Sequence, residues 1–362
     1  MTKNEQKGKV NTIVTGHNTG YVYPWMMMAR TCAINTTGQF KMIAANMNSS
    51  MDERDIRFMS EYAKHLGIRL EILDLELPQD LLEQLGKMAI GYISLLFLDA
   101  LEEDFVWLDS DLLLRPGWER IFHLKGDKEL GGKSIKYPVI RAAKDREVTV
   151  KQHKIKNTNG AFLKNPQNYF NCGVMWLSPS NWKKFKLNHA WQDVVRRESE
   201  LGLEFIDQDI LNYLLHDKVE IMSKRLNYIT GDFYVQDPLI THFAGYPKPW
   251  VLSGKAKSMY FMREALNADR PRFRPSREGK FKTEYLEYWH QEAEMLEDLR
   301  ISRPDLYQEA LARKRSVTRD LNLQERIKFN LARGLSVEFA NVLRRRKPVL
   351  TNTQTQLWED IS

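Results

Sequence analysis

Phe105-Val-Trp-Leu-Asp-Ser-Asp111 is the stretch on which the reading of this chain turns. Four apolar residues of strand character run straight into two carboxylates. In open α/β sheets ligands bind beyond the carboxyl ends of the strands, so acids delivered there are placed for chemistry. Asp109 and Asp111 stand at i and i+2, on one face of an extended strand, and in a turn after it both converge on one hard cation. Carboxylate oxygens suit Mg²⁺ or Mn²⁺, which bridges a diphosphate and neutralises charge on a leaving group. Such a pair is also common as a turn or a helix cap. Here apolar Leu112 follows and a buried-looking strand precedes, so the two acids reach the edge of a core.

Upstream, short β-branched or apolar runs alternate with helical patterns, the signature of βαβ units around a largely parallel sheet. Asn11 to Thr15 reads as a first strand and Tyr21 to Cys32 as its helix; Phe40 to Ala45 is a second strand. A helix then starts near Asp52, with Ser49, Ser50 or Asp52 as cap and Phe58, Met59, Tyr62 and Leu66 on one face, and Gly67 stops it. Arg69 to Leu75 gives a third strand and Leu81 to Leu101 a helical stretch. Downstream, strands are expected at Asn171–Leu177, Val219–Met222 and Leu239–Ala244, and helices at Asn181–Glu198 and Asp207–Leu215. Beyond Gly254 charged helical sequence is punctuated by Pro271, Pro275 and Pro304, which places a boundary near residue 265.

A chain of 362 residues holds a large α/β domain with an appendage, and 43% hydrophobic with 28% charged residues is a soluble globular profile. Cys32 and Cys172 cannot build a disulfide framework and no CxxC zinc site occurs, so a reducing compartment is expected. The polar N-terminus lacks the apolar stretch of a secretory signal, and the run Met88–Leu98 is too short to span a bilayer. The net charge of +7 is concentrated: Arg313 to Lys347 carries eleven basic against three acidic side chains, more than the excess of the whole chain. Leu323, Ile327, Leu331, Leu335, Phe339 and Leu343 recur every four residues there, a basic amphipathic helix. It either packs on the catalytic domain or attaches to an anionic membrane surface; nucleic acid ranks low, because no known nucleic-acid motif accompanies the charge. Tyr285, Tyr288 and Trp289 belong to an acceptor groove or to a helical core.

Three more segments follow the acidic pair in order: Tyr169-Phe-Asn-Cys-Gly-Val-Met175, Phe205-Ile-Asp-Gln-Asp-Ile-Leu-Asn212 and His242-Phe-Ala-Gly-Tyr-Pro-Lys-Pro-Trp250. Together the four motifs resemble the retaining glycosyltransferases of family 8, the class that includes lipooligosaccharide galactosyltransferases and glycogenin, over residues 10 to 252. The resemblance implies a GT-A fold in which His242 joins Asp109 and Asp111 on Mn²⁺, or Mg²⁺, while Gly245 and Lys248 meet the diphosphate. It implies that Asp207 binds donor hydroxyls and that Gln208 lies opposite the leaving group, either attacking or steadying an oxocarbenium-like state. Asn171 is the sugar-hydroxyl candidate, Asn18 and Ser110 complete the donor-binding set, and buried Cys172 carries no sign of an activated thiol. Simpler readings stand beside these: Asp207 as a helix cap, Gly173 as close backbone packing, His242 as a structural histidine.

Three departures stand out. Gly16 and His17 occupy the place of an acid that usually holds uracil; Gly91-Tyr-Ile-Ser94 occupies that of an arginine; and no acid near Val139 to Asp145 clearly matches the one often found before Asn171. The expectation is an α/β GT-A fold, with a Rossmann-like, mostly parallel sheet flanked by helices, over residues 1–265. Residues 266–362 form a helical, basic region for acceptor or membrane association. The expected activity moves a hexose, galactose or glucose, from a UDP-sugar to a saccharide or lipid-linked glycan, with retention and Mn²⁺ dependence. The expected setting is cytoplasmic polysaccharide or lipopolysaccharide biosynthesis, peripheral to a membrane if the basic helix attaches. The rivals are a non-catalytic nucleotide-sugar-binding or partner-binding member and a nucleotidyltransferase, which gives no reason for Asp207-Gln208.

Overall fold

Where apolar runs meet no polar alternation, the strands are buried on both faces, as parallel sheets covered by helices require. In the computed structural model, which describes residues 10–16, 18–125, 127–131, 135–146, 166–197, 206–230, 235–244, 248–252 and 278–318, β1 (Asn11–Gly16), β2 (Phe40–Met47) and β4 (Phe105–Leu108) have this character. β3 (Arg69–Leu75) is half-exposed because it forms an edge. With β6 (Ile140–Lys144), β7 (Phe170–Leu177) and β8 (Val219–Met222), these strands form a seven-stranded sheet ordered β3-β2-β1-β4-β7-β6-β8. All pairings are parallel except those of β7, which runs against both β4 and β6.

The helices between the first strands follow local rules. α1 (Val22–Ile34) is buried along most of its length, which its apolar run Val22 to Ala29 dictates. α2 (Glu53–His65) is capped by Asp52, whose side chain accepts from the Asp55 N–H at 2.8 Å, and Gly67 ends it at φ +69°. Two expected helices are broken. The stretch from Leu81 to Leu101 divides into α3 (Gln79–Leu85), a 3-10 segment Gly86–Tyr92 and α4 (Ile93–Ala100), because Gly86 turns the chain at φ +52°. Asn181 to Glu198 divides into α5 (Pro179–Lys184) and α6 (Ala190–Arg196), with Lys186 and His189 at positive φ between them. α7 (Ile206–Leu214) forms as expected.

A second, three-stranded sheet has the order β5-β10-β9, built from β5 (Leu112–Leu114), β9 (Tyr228–Ile229) and β10 (Ile240–His242). β5 was not legible as a strand, since three leucines after the acidic pair show no periodicity.

The chain divides into two compact units, Met1–Ala244 and Gly245–Ser362. The boundary read near residue 265 and the amphipathic helix 323–343 lie outside the described residues. In the second unit α8 (Glu278–Ser302) and α9 (Pro304–Val317) pack together, with Lys314 paired to the buried Glu292 at 3.2 Å. Tyr285, Tyr288 and Trp289 are helical core: all are buried, and the Trp289 indole donates to the Pro249 carbonyl at 3.0 Å. Among the described residues no helix is long and apolar enough to cross a membrane.

Candidate active site

The acidic pair bridges the two sheets. β4 ends at Leu108, and the Asp109 N–H donates to the Gly173 carbonyl of β7 at 2.9 Å. β5 starts at Leu112 and pairs antiparallel with β10 so that His242 lies opposite Leu112; the Phe243 N–H donates to the Asp111 carbonyl at 3.0 Å. Strand register therefore carries His242 back to the two acids across more than a hundred residues of sequence. Its Nε2 lies 3.2 Å from Asp111 Oδ1 and 3.5 Å from Asp109 Oδ2, and one ligand atom from each of the three residues falls within 4.8 Å of the others. Between the acids, the buried Ser110 hydroxyl has no hydrogen-bond partner among the described residues.

Neighbours hold these groups tightly. The Trp107 indole donates to Asp109 Oδ1 at 2.8 Å, which leaves Oδ2 turned to His242. Gly173 is required by that imidazole: a Cβ there would lie 2.1 Å from His242 Cε1. The simple packing reading of Gly173 is thus correct, and what it packs against is a site residue. Gly16 is equally constrained. A Cβ on it would lie 2.7 Å from Ile93 Cγ2 and 2.9 Å from Trp107 Cη2, so no acid fits at that position. Beside it, Asn18 caps the 3-10 turn Thr19–Tyr21, accepting from the Gly20 N–H at 3.0 Å.

β7 and α7 supply the other half of the site. Asn171 Nδ2 donates to Gln208 Oε1 at 2.9 Å, and the Cys172 N–H reaches the same oxygen at 3.3 Å. Gln208 Nε2 donates to Asp145 Oδ2 at 2.8 Å and to the Tyr169 hydroxyl at 3.0 Å, while that hydroxyl donates to Asp209 Oδ1 at 2.5 Å. Asp145 directly follows β6, after a shift of strand register between Ala142 and Lys144, and so reaches Gln208 although no spacing in the sequence marked it. The Ser94 hydroxyl donates to Asp207 Oδ2 at 2.8 Å, an uncharged group where an arginine was expected. Asn227, which sequence reasoning missed altogether, faces both His242 and Asn171, at 3.1 and 2.9 Å.

Acids dominate the electrostatics. Burial, with the nearby charge of Asp109, pushes the Asp207 carboxyl up to about 7 against the opposing Ser94 hydrogen bond. Burial first, and then the charges of Asp207, Asp109, Asp145 and Asp209, raise the Cys172 thiol well above its ordinary value, so it stays protonated. Burial and Asp209 likewise keep the Tyr169 hydroxyl protonated. Gly245 lies outside the described residues, and Lys248 belongs to the second unit, where its ammonium stands 5.7 Å from the Trp250 ring centre.

The family model of glycosyl transferase family 8 matches residues 62–253. A lipopolysaccharide 1,2-glucosyltransferase of Escherichia coli is 24% identical over 223 residues, which is 55% of this chain and 61% of that protein. A putative glycosyltransferase of Haemophilus influenzae is 24% identical over 161 residues, 41% of this chain and 44% of the relative. The chain thus spans less than two thirds of these relatives. Among solved structures, the galactosyltransferase LgtC in complex with donor and acceptor sugar analogs shares the fold at a TM-score of 0.54 and 18% identity, covering 73% of this chain and 98% of that one. The bifunctional glycosyltransferase WbbM does so at a TM-score of 0.52 and 14% identity, over 78% and 52% of the two chains. The sheet order and the reversed β7 are thus those of a GT-A fold, and the chain belongs to glycosyl transferase family 8.

Proposed function

We propose that this enzyme transfers a hexose, galactose or glucose, from a UDP-sugar to a saccharide or lipid-linked glycan, with retention of configuration and dependence on Mn²⁺. The observation that carries the proposal is the convergence of Asp109, Asp111 and His242, linked through Asn227 and Asn171 to the amide of Gln208. Two carboxylates and one imidazole suit Mn²⁺, and Mg²⁺ less well, since the imidazole favours the softer ion. The unpartnered Ser110 hydroxyl beside them fits a site that receives a further polar group. When bound, the ion supplies charge neutralisation to the departing diphosphate.

The remaining roles fall to the chain. Asp207, oriented by Ser94, accepts from donor hydroxyls, and Asn171 contacts the sugar. Gln208 is held by four hydrogen bonds on the face opposite the leaving group. Asn18, Ser110, Gly245 and Lys248 complete the donor contacts. With Gly16 blocked to any side chain, the base is bound by backbone groups rather than by an acid. The name of the E. coli relative supports a lipopolysaccharide-type acceptor. In this reading residues 1–265 carry catalysis at the cytoplasmic face of a membrane, and 266–362 serve acceptor or membrane association through their basic charge.

The test is Asp111→Asn. Mn²⁺-dependent hydrolysis and transfer from the donor should vanish while the circular dichroism and the melting temperature of the metal-free protein stay those of the wild type; full activity in the variant would overturn the metal assignment.

A further inference from the structure

We infer that Asn227 is a positioning residue which fixes the tautomer of His242 and ties the metal ligand to Gln208 through one directed chain of amides. The inference rests on the metal reading above. Neither Asn227 nor Asn171 need be oriented by choice of the better fit, because backbone donors fix them. The Gly173 N–H points at the side-chain oxygen of Asn171 at 3.0 Å, and a backbone N–H can only donate. The group of Asn227 that also faces this oxygen at 2.9 Å must then be its NH₂. Its own carbonyl oxygen is left to face His242 Nδ1 at 3.1 Å, and an oxygen there can only accept. Nδ1 therefore carries the proton, and Nε2 presents its lone pair to Asp109 and Asp111.

A backbone donor fixes Gln208 at the other end of the chain as well. The Cys172 N–H fixes the oxygen of Gln208 on the side of Asn171, so the NH₂ of Asn171 donates to it and the NH₂ of Gln208 points to Asp145 and Tyr169. Every donor in the chain points away from His242 and the last acceptors are carboxylates. Asn227 is 1% exposed, Gln208 8% and His242 3%, so water offers no substitute along the chain. β9 makes the placement possible: it starts at Tyr228, paired with Thr241, which sets Asn227 beside the strand that carries His242.

Two substitutions separate the two duties. Asn227→Leu removes both the acceptor for His242 and the donor to Asn171. Asn227→Asp keeps an acceptor for Nδ1–H but turns an oxygen toward the oxygen of Asn171, which breaks the link to Gln208. Affinity for Mn²⁺ is read in the full-length chain from the electron paramagnetic resonance signal of the free ion, without turnover; kcat and the donor KM are measured at saturating metal. Asn227→Leu should weaken Mn²⁺ binding about 10–100-fold, the usual effect of losing a partner that orients a histidine ligand. Asn227→Asp should hold Mn²⁺ within a few-fold of wild type while kcat falls about tenfold or more. Wild-type affinity in Asn227→Leu, or affinity losses in both variants that merely track a lowered melting temperature, would overturn the inference. If the leucine variant does not fold, the aspartate variant decides: retained binding with lowered kcat supports it, and unchanged kcat overturns it. A wild-type chain that binds no Mn²⁺ overturns the metal reading, and this inference with it.

Discussion

At Gly173 the site is constrained most tightly by the want of a side chain. The Gly173 carbonyl accepts from the Asp109 N–H and its own N–H donates to Asn171 Oδ1, which hold its backbone against the His242 ring, and Gly173→Ala would drive a methyl group to within 2.1 Å of Cε1. The ring must move instead. The variant should lose about 1–3 kcal/mol in urea unfolding, the usual cost of overpacking, together with most of its Mn²⁺ affinity; wild-type values for both would contradict the packing argument. Asp207 offers a test of opposite sign. Its carboxyl rises from an ordinary 3.8 to about 7 in the fold, so it is the ionised form that folding disfavours. The cost is absent below the ordinary value, grows as pH rises and is complete above about 7. In metal-free protein Asp207→Asn should therefore melt higher than wild type at about pH 8, with the gap closing as the pH falls toward 4; a gap independent of pH would sink the burial argument. Asp109, Asp111 and His242 were legible because their types and order carry a chemical pattern. Asp145 and Asn227 were not, because each acts by a hydrogen bond to a side chain from another element, and no spacing in the sequence records that.

Elements were legible where period and length agreed, as in β3, β4 and β8, whose bounds match the sequence reading residue for residue. They were misread where a long apolar pattern hid a break. The split of Asn181–Glu198 into α5 and α6 is held by Asp99, at the end of α4: its Oδ1 accepts from the Trp182 indole at 2.8 Å and its Oδ2 from the Trp191 indole at 2.9 Å. Both indoles are fully buried, so one carboxylate satisfies two donors that water cannot reach. The interaction that fixes the turn lies some ninety residues away, which is why helical periodicity ran through it. Asp99→Leu strands both donors and should destabilise by about 2–6 kcal/mol, from about 1–3 for each, lowering the urea midpoint with little change in slope. Asp99→Asn, which keeps one acceptor, should recover part of the loss. Since Asp99 touches none of the metal ligands, Mn²⁺ affinity measured on folded protein should stay that of the wild type in both variants; a matching loss of affinity would show that this corner and the site are coupled.

At the scale of the molecule, ligand binding couples to global stability. Asp109 and Asp111 lie on the link between a strand of one sheet and a strand of the other, and His242 lies on β10, so an ion held by all three binds only the folded chain and must raise its stability by mass action, about 2.7 kcal/mol at a hundred times the dissociation constant. Chelation should accordingly lower the melting temperature and Mn²⁺ restore it, more than Mg²⁺ at equal concentration. The order of ligands carries further information. Several buried acids crowd the site, so a free diphosphate meets repulsion until the metal supplies opposite charge. A nucleotide sugar alone should leave the melting temperature almost unchanged and should raise it once Mn²⁺ is present. Screening UDP-, GDP- and CMP-sugars in that way reads the base directly. Gly16, one of the two residues in the place of the acid expected to hold uracil, is packed against Ile93 and Trp107 and has no room for a side chain. If backbone groups select the base unaided, UDP-sugars alone should give the metal-dependent shift. Equal shifts with all three nucleotides would mean that replacing the acid removed base selection, and no shift with any of them would end the case for a nucleotide-sugar donor in this chain.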